Sequence, residues 1–457
     1  MSDSLDPLEG LRSEGDLNQS PQRKAWSSQH IDAETRALLA EDARYFLHQS
    51  LSTPCLNVLT GCKGPEFTDT RGRTLLDFHG NNVHQVGFAH PEVIEAITHQ
   101  LQELSFCPRR YTNVPAIELA KRLTELAPGD LKRVLFAPAG SLAIGMAIKL
   151  ARVATGRYKT ISMWDSFHGA SLDAISVGGE AMFRKGCGPL LPGCEHVPPP
   201  NPSECPFRCA GSCNLSCADY VEYVMEKEGD VASVIAETVR CTPFIPPLDY
   251  WKRIRAACDR HGALLILDEI PTCLGRTGRL FAVEHFDVVP DMLVLGKGLG
   301  GGVFPLAALL ARDSLNSAMQ DRALGHYTHE KNPVACAAGL ATLDIIHKEN
   351  LLARTTELGA YTLGRLQAMK ARHPVIAEVR GLGLLMGVVL GSSHGSDSRA
   401  AELAERVMYS CFSKGLSFKI TMGNILTLTP ALTISRQEMD RALTILEAAI
   451  TEAGSAS

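Results

Sequence analysis

Short apolar runs alternate with helical spacings through the middle of the chain. "KTISMW" (159–164), "VASVIAETV" (231–239), "ALLILDEI" (263–270) and "DMLVLGKG" (291–298) are nearly unbroken by polar positions. A strand that reads as a continuous apolar run, instead of an alternating one, is buried on both faces, as in a parallel sheet covered by helices. "IELAKRLTELA" (117–127) and "DYWKRIRAACDRHG" (249–262) place apolar residues at helical spacing. "KRVLFAPAGSLAIGMAIKLARVA" (132–154) reads as a strand, a glycine turn and a long helix. The pattern predicts an α/β fold with a mostly parallel central sheet flanked by helices. Ligands of such sheets sit at the carboxyl ends of the strands.

After about residue 335 the texture changes. Two helical stretches, "ACAAGLATLDIIHKE" and "LLARTTELGAYTLGRLQAMKARH", lead to a strand signal in "VIAEVRGLGLLMGVVL". A polar loop, "GSSHGSDSRA", precedes "LSFKI", "ILTLT" and a last helix. The expected organisation is a flexible arm over 1–30 and a segment 31–85 that packs with a small domain. A large domain over 86–335, with a cysteine-rich loop at 205–217, and a small α+β domain over 336–457 follow.

Composition narrows the function classes. With 457 residues, 45% hydrophobic, there is ample material for a large core. A net charge of -5 gives no argument for nucleic-acid binding. No run approaches the roughly 18 apolar residues that span a bilayer, and the polar start "MSDSLDPLEGLRSEGDLNQSPQRKAW" is not a signal peptide. Fourteen cysteines without a secretory signal suggest a reducing, cytoplasmic setting, with disulfides the weakest reading.

Four strand ends carry chemistry. Asp268 ends the buried run "LLILD", where a carboxylate is costly unless paired. It is either a cap or structural ion pair, or a charge held to meet a protonated heterocyclic nitrogen. Lys297 follows the run "LVLG" among glycines. It is either a lysine reaching solvent or a desolvated amine able to form a Schiff base. Gly140 and Ser141 lie where a strand turns into a helix, a place for an anion, phosphate above all. Phe167, before His168 and Gly169 in "SFHGAS", is either core or a face for a planar ring. A phosphate cradle, a stacking ring, a pyridinium partner and a Schiff-base lysine are together the requirements of pyridoxal phosphate.

At these residues the chain resembles the class III aminotransferases, which have the type I pyridoxal-phosphate fold. "LILDEIPTCLGRTGRLFAVEHFDVVPDMLVLGKGLGGGVFPLAALLAR" is close to the family signature. The resemblance implies that Lys297 bonds pyridoxal 5′-phosphate and Asp268 pairs with its ring nitrogen. Phe167 would stack on the ring beside His168, and Gly140 and Ser141 would hold the phosphate. It also implies that Thr328, in "HYTHEKNPVACAA", reaches the phosphate of a neighbouring subunit, hence a homodimer with shared sites.

The departures are as informative. Where aminotransferases acting on α-carboxylates carry an arginine, "NILTLTPAL" has Thr427. Where a glutamate gates that arginine, "AETVRCT" has Thr242. Pro271 replaces a common glutamine, and "THEKNP" replaces "TFGGNP", bringing in His329, Glu330 and Lys331. "FHGNNVHQVGFAHPEVIEAI" and "CPRRYTN" resemble the phospho-lyase branch and the family's ammonia-lyases, which act on small amines with a phosphate or phosphonate tail. That resemblance implies Arg110, with Arg109 second, for the anionic tail, and Asn81 and His84 lining its approach. It points to a lyase of phosphonate catabolism that needs no second amino acceptor. The alternatives are an ω-aminotransferase using pyruvate or 2-oxoglutarate, and a phospho-lyase on an amino phosphate ester.

"CPFRCAGSCNLSC" places Cys205, Cys209, Cys213 and Cys217 at intervals of four. This is not the C-x2-C spacing of a zinc ribbon. Free thiols, or a metal held by four thiolates, both remain open, and Arg208 within the stretch is a further candidate for the substrate. No metal is expected in the catalytic site.

Overall fold

The computed structural model describes residues 20–49, 55–201, 205–207, 209, 213–391 and 398–455. They form two units: Pro91–Ala353, and Met1–His90 together with Arg354–Ser457. Three short strands come first, β1 (Leu59–Lys63), β2 (Glu66–Asp69) and β3 (Thr74–Asp77). Seven follow in the larger unit: β4 (Arg133–Ala137), β5 (Lys159–Met163), β6 (Cys194–Val197), β7 (Val231–Glu237), β8 (Leu264–Asp268), β9 (Met292–Leu295) and β10 (Ala307–Ala311). The last are β11 (Ile376–Leu382), β12 (Leu385–Leu390), β13 (Leu416–Ser417), β14 (Lys419–Thr421) and β15 (Ile425–Leu428).

The larger unit is built on one seven-stranded sheet, ordered β4-β10-β9-β8-β7-β5-β6. The pairs β5–β6, β5–β7, β7–β8 and β8–β9 are parallel, and only β10 runs against both its neighbours. The continuous apolar runs are these central strands, and every residue of β9 is buried. The helix Gly140–Thr155 lies on the sheet through small residues, Ala143, Ala147 and Ala151, beside Ile144 and Ile148. Its core partners include Ile235, Ile266, Val294 and Leu309. Small residues let the helix approach closely, and the buried faces of both elements leave water together. Gly156, at φ 67°, ends that helix in the left-handed conformation that glycine adopts without strain.

The smaller unit holds an antiparallel sheet, β11-β12-β15-β14, and a second one, β1-β2-β3-β13. Two segments that read as single strands divide. "VIAEVRGLGLLMGVVL" folds back at Gly383 (φ 59°) to give β11 and β12. "LSFKI" gives β13, parallel to β3, and β14, which joins the other sheet.

The boundaries also differ from those the sequence suggests. The stretch expected to be a flexible arm through residue 30 contains a helix, Pro21–His30, capped by the Ser20 side chain. Trp26 buries its ring there, stacked on His30 at 5.2 Å and against Tyr409 and Phe412. The helix Pro333–Lys348, expected in the small domain, packs on Pro91–Glu103 and Val114–Leu126, so the second division falls after residue 353 instead of 335. Among the described residues no helix is long and apolar enough to cross a membrane.

Candidate active site

The registers bring four strand ends to one edge of the large sheet. Glu237 lies beside Asp268, Asp268 beside Val294, Leu295 beside Ala308, and Ala307 beside Ala137. Because β10 reverses between β9 and β4, the carboxyl ends of β4 and β9 share this edge with those of β5, β7 and β8.

Asp268 is buried where β8 ends. Its Oδ1 accepts from the Ile270 N–H at 2.9 Å, and its Oδ2 pairs with His168 Nδ1 at 2.8 Å. A carboxylate only accepts, so Nδ1 carries the hydrogen. His168 is also buried, and its Nε2 has no hydrogen-bond partner among the described residues. Two of the carboxylate's four lone pairs remain for another donor.

Gly140 and Ser141 open the helix Gly140–Thr155, whose cap, Ala139, offers no side-chain bond to the first amides. Those N–H groups therefore suit an anion, with the helix dipole behind them. A Cβ on Gly140 would come within 2.8 Å of Ile270 Cδ1. Gly169, at φ 121°, would place one 2.6 Å from Ser141 Cβ. Gly169 excludes a side chain, and one at Gly140 would have to displace the end of Ile270, so the backbone of this turn stays close-fitting and bare.

Lys297 begins a tight turn, Lys297–Gly300, two residues past β9, at φ 47°. A lysine in the left-handed region is strained, and such strain gathers at functional sites. The preceding Gly296 packs on Ile270, so Gly140, the end of β8 and the start of the lysine turn share one neighbour.

Phe167 is exposed, with its ring 4.8 Å from Phe183. Its N–H donates to Glu237 Oε1 at 3.0 Å. Glu237 in turn lies 3.9 Å from Arg240, which also pairs with Glu180 at 3.3 Å and donates to the Asp165 carbonyl. This buried network fixes the backbone of the aromatic segment. Its members are up to 75 residues apart and share no motif, so only the hydrophobic lead-in "VASVIA" marked Glu237 as a strand end.

The candidate arginines are not equivalent. Arg109 pairs with Glu330 at 2.8 Å, which leaves its guanidinium already occupied. Around that pair, Phe106 meets His329 at 5.4 Å edge-on, and Asn113 Nδ2 donates to the Lys331 carbonyl at 2.9 Å. The stretch that resembles the phospho-lyase branch, "CPRRYTN", and the departure "THEKNP" thus pack against each other. Arg110 beside it is exposed, as is Thr328 on the adjoining turn. Arg208 lies outside the described residues.

In the smaller unit, Asn81 is exposed at φ 46° on the turn after β3. His84, expected to line the substrate's approach, is instead fully buried, stacked on Phe88 at 4.9 Å. A Cβ on Gly80 would strike its ring at 2.1 Å, so His84 supports the turn from beneath. Thr427 is buried too, with its Oγ1 2.7 Å from that of Thr421.

A family model for aminotransferase class-III matches residues 48–450. The chain belongs to the class-III aminotransferase family, and its cofactor is pyridoxal 5′-phosphate. It is 49% identical over 97% of its length to the (R)-1-hydroxy-2-aminoethylphosphonate ammonia-lyase of Vibrio splendidus (strain 12B01), covering 95% of that protein. It is 34% identical over 90% of its length to a leucine/methionine racemase of Thermococcus litoralis, of which it covers 94%. Among solved structures, an amine transaminase from an uncultivated Pseudomonas species in its PLP-bound form superposes with a TM-score of 0.83. That match has 31% identity over 90% of this chain and 99% of the other. The fold is therefore the type I fold of these transaminases.

The residues present fit this cofactor. The bare turn at Gly140, Ser141 and Gly169 suits a phosphate that needs backbone donors at close range. The lone pairs left on buried Asp268 and the orphaned His168 Nε2 suit a heterocycle that brings polar atoms of its own.

Proposed function

We propose that this protein is an ammonia-lyase that converts (R)-1-hydroxy-2-aminoethylphosphonate to phosphonoacetaldehyde and ammonia. The observation that carries the reading is the 49% identity over nearly the whole chain to an ammonia-lyase of that substrate. Two features of the chain support it. Thr427, at the place of the carboxylate-binding arginine, spends its hydroxyl on Thr421, and Thr242, at the place of its gate, is buried. Neither residue can clamp a keto acid, and an elimination uses none.

In this reading Gly140 and Ser141 hold the cofactor's phosphate through backbone N–H groups. Asp268, oriented by His168, would keep the ring nitrogen protonated, and Phe167 would offer its ring to the cofactor. Pyridoxal phosphate, when bound, supplies the electron sink that makes the carbon next to the amine nitrogen acidic. Lys297 would hold it through its side-chain amine, and the same amine would take the proton from the amine-bearing carbon of the substrate. The hydroxyl on the neighbouring carbon leaves as water with one proton. The released enamine takes up water to give the aldehyde and ammonia, so the water lost is regained. Arg110 holds the phosphonate as a charge-assisted pair.

The same reading makes the protein a homodimer, with exposed Thr328 completing the phosphate site of the second subunit, and a cytoplasmic enzyme of phosphonate breakdown. The test is to supply the amine alone and follow ammonia and aldehyde together. Equal amounts of both are expected, with none from 2-aminoethylphosphonate, which lacks the leaving hydroxyl. Ammonia from both compounds, or from neither, would overturn the proposal.

A further inference from the structure

Among the described residues the sulfurs of Cys205 and Cys209 stand 3.5 Å apart, and no three of the cysteines of 205–217 bring their sulfurs together. Cations do gather, elsewhere in the larger unit. Lys149 and Arg152 are three residues apart on the helix Gly140–Thr155, so they share a face, and Val153 adjoins it. Residues 319–324 lie across from that face, and between the two is a cavity of about 440 Å³. Lys149, Arg152 and Arg322 line it together with apolar Val153, Met319 and Leu324. Pockets for small molecules measure about 300–1,000 Å³.

These three cations lack carboxylates. Among the described residues Lys149, Arg152 and Arg322 form no ion pair and no side-chain hydrogen bond. Arginines elsewhere on this unit are matched: Arg255 to Asp259 and Asp291, Arg312 to Asp130 and Asp291, and Arg133 to Asp313. Asp313 is the one acid of the turn Asp313–Met319, so that turn has none left for the cavity. Asp321, beside Arg322 in the chain, forms no ion pair among the described residues either. Arg152 stands in the last turn of its helix, where the dipole favours a cation. The dipole offers no acceptor, however, to Arg152 Nε and Nη2, which are buried without a partner. Buried donors left unmet are costly. The N–H bonds on that edge of a guanidinium run parallel and match two oxygens of one oxyanion.

We propose that this cavity binds a small organic phosphate or phosphonate, apart from the cofactor's phosphate cradle on the same helix. Arg152 lies about 16 Å along the helix from Ser141, at about 1.5 Å per residue. Arg152 grips two oxygens, Lys149 and Arg322 meet the remaining charge, and the apolar wall takes the organic group. Three cations exceed what a monocarboxylate neutralises, which selects a dianionic head. Met319 and Leu324 also pack on the core cluster that includes this helix. A Cβ on Gly325 would come within 2.7 Å of Met146 Sδ, three residues before Lys149. The ligand therefore pins residues 319–324, which lead to Thr328, onto the helix. The site holds whatever reaction the active site performs.

The test is calorimetric titration of full-length holoenzyme carrying Arg110→Ala, which keeps the cofactor site filled and the substrate's tail site out of play. Inorganic phosphate, ethylphosphonate and acetate are the probes, at constant ionic strength and a pH where the first two are dianions. One saturable site per chain is expected, tighter for ethylphosphonate than for phosphate, with no measurable binding of acetate. Adding Arg152→Met or Arg322→Gln should each weaken binding at least about tenfold and leave the complement of pyridoxal phosphate full. Arg322 is exposed, so its variant folds even where the buried one fails. Amide exchange over 319–324 should slow as the site fills. No saturable binding, acetate binding as tightly as the dianions, or an affinity that either substitution leaves unchanged would overturn the proposal. So would ethylphosphonate binding more weakly than phosphate, or exchange over 319–324 that does not slow.

Discussion

Replacing His168 with leucine tests the site at its most buried point. The side chains of His168 and Asp268 are 0% and 2% exposed, and their 2.8 Å contact is one of two hydrogen bonds that the carboxylate receives. Leucine fills much of the same volume but donates nothing, so Asp268 keeps only the Ile270 N–H. A hydrogen bond to a charged group is worth about 1.5–3 kcal/mol, or roughly ten- to hundredfold in an equilibrium constant. The apoprotein titrated with pyridoxal phosphate should therefore bind it about 10- to 100-fold more weakly, and kcat at saturating cofactor should fall as well. Asp268→Asn supplies the control, since it removes the charge that His168 serves. In that background His168→Leu should cost less than about threefold, because residues of one network are not additive. If His168→Leu binds cofactor as the wild type does, or loses the same factor in both backgrounds, His168 does not act through Asp268.

Three further outcomes follow from the geometry. Gly169→Ala forces a Cβ to 2.6 Å from Ser141 at φ 121° and should weaken cofactor binding at least about tenfold by the same titration. Arg110→Ala should raise KM for the phosphonate amine about 10- to 100-fold with kcat nearly unchanged. Arg109→Ala should raise KM less and lower Tm, because it strands half-buried Glu330; steady-state ammonia release and calorimetry check both. Glu269 is fully buried, and that burial pushes its carboxyl up to about 7. The folded protein then holds a proton that the unfolded chain releases above its ordinary value of 4.5, so stability falls as pH rises towards 7. Relative to Glu269→Gln, the wild type should lose about 2 kcal/mol between about pH 5 and 7.5 in denaturant titrations.

The central strands were legible because burial on both faces demands unbroken apolar runs. Asp268 and Lys297 were legible because a charged residue closing such a run needs a reason. Other features follow rules that no local pattern carries. "LSFKI" is apolar enough for one strand, yet its first half pairs with β3, hundreds of residues earlier, and its second half with nearby β15. The residues that separate Arg110 from Arg109 lie in "THEKNP": only the folded chain brings Glu330 against Arg109 and not against Arg110. His84 sits in a motif that resembles a substrate-binding stretch, but Gly80 leaves room for its ring beneath the turn, and there it stays.

The claim that elimination replaces transamination rests on counting turnovers. Holoenzyme freed of keto acids should be given excess (R)-1-hydroxy-2-aminoethylphosphonate, and the ammonia released per active site measured. Continuous release, many equivalents per site and unchanged by added pyruvate or 2-oxoglutarate, is the predicted result. A halt after about one equivalent of amine consumed, with turnover restored only by a keto acid, is the half-reaction of an aminotransferase and would contradict the account.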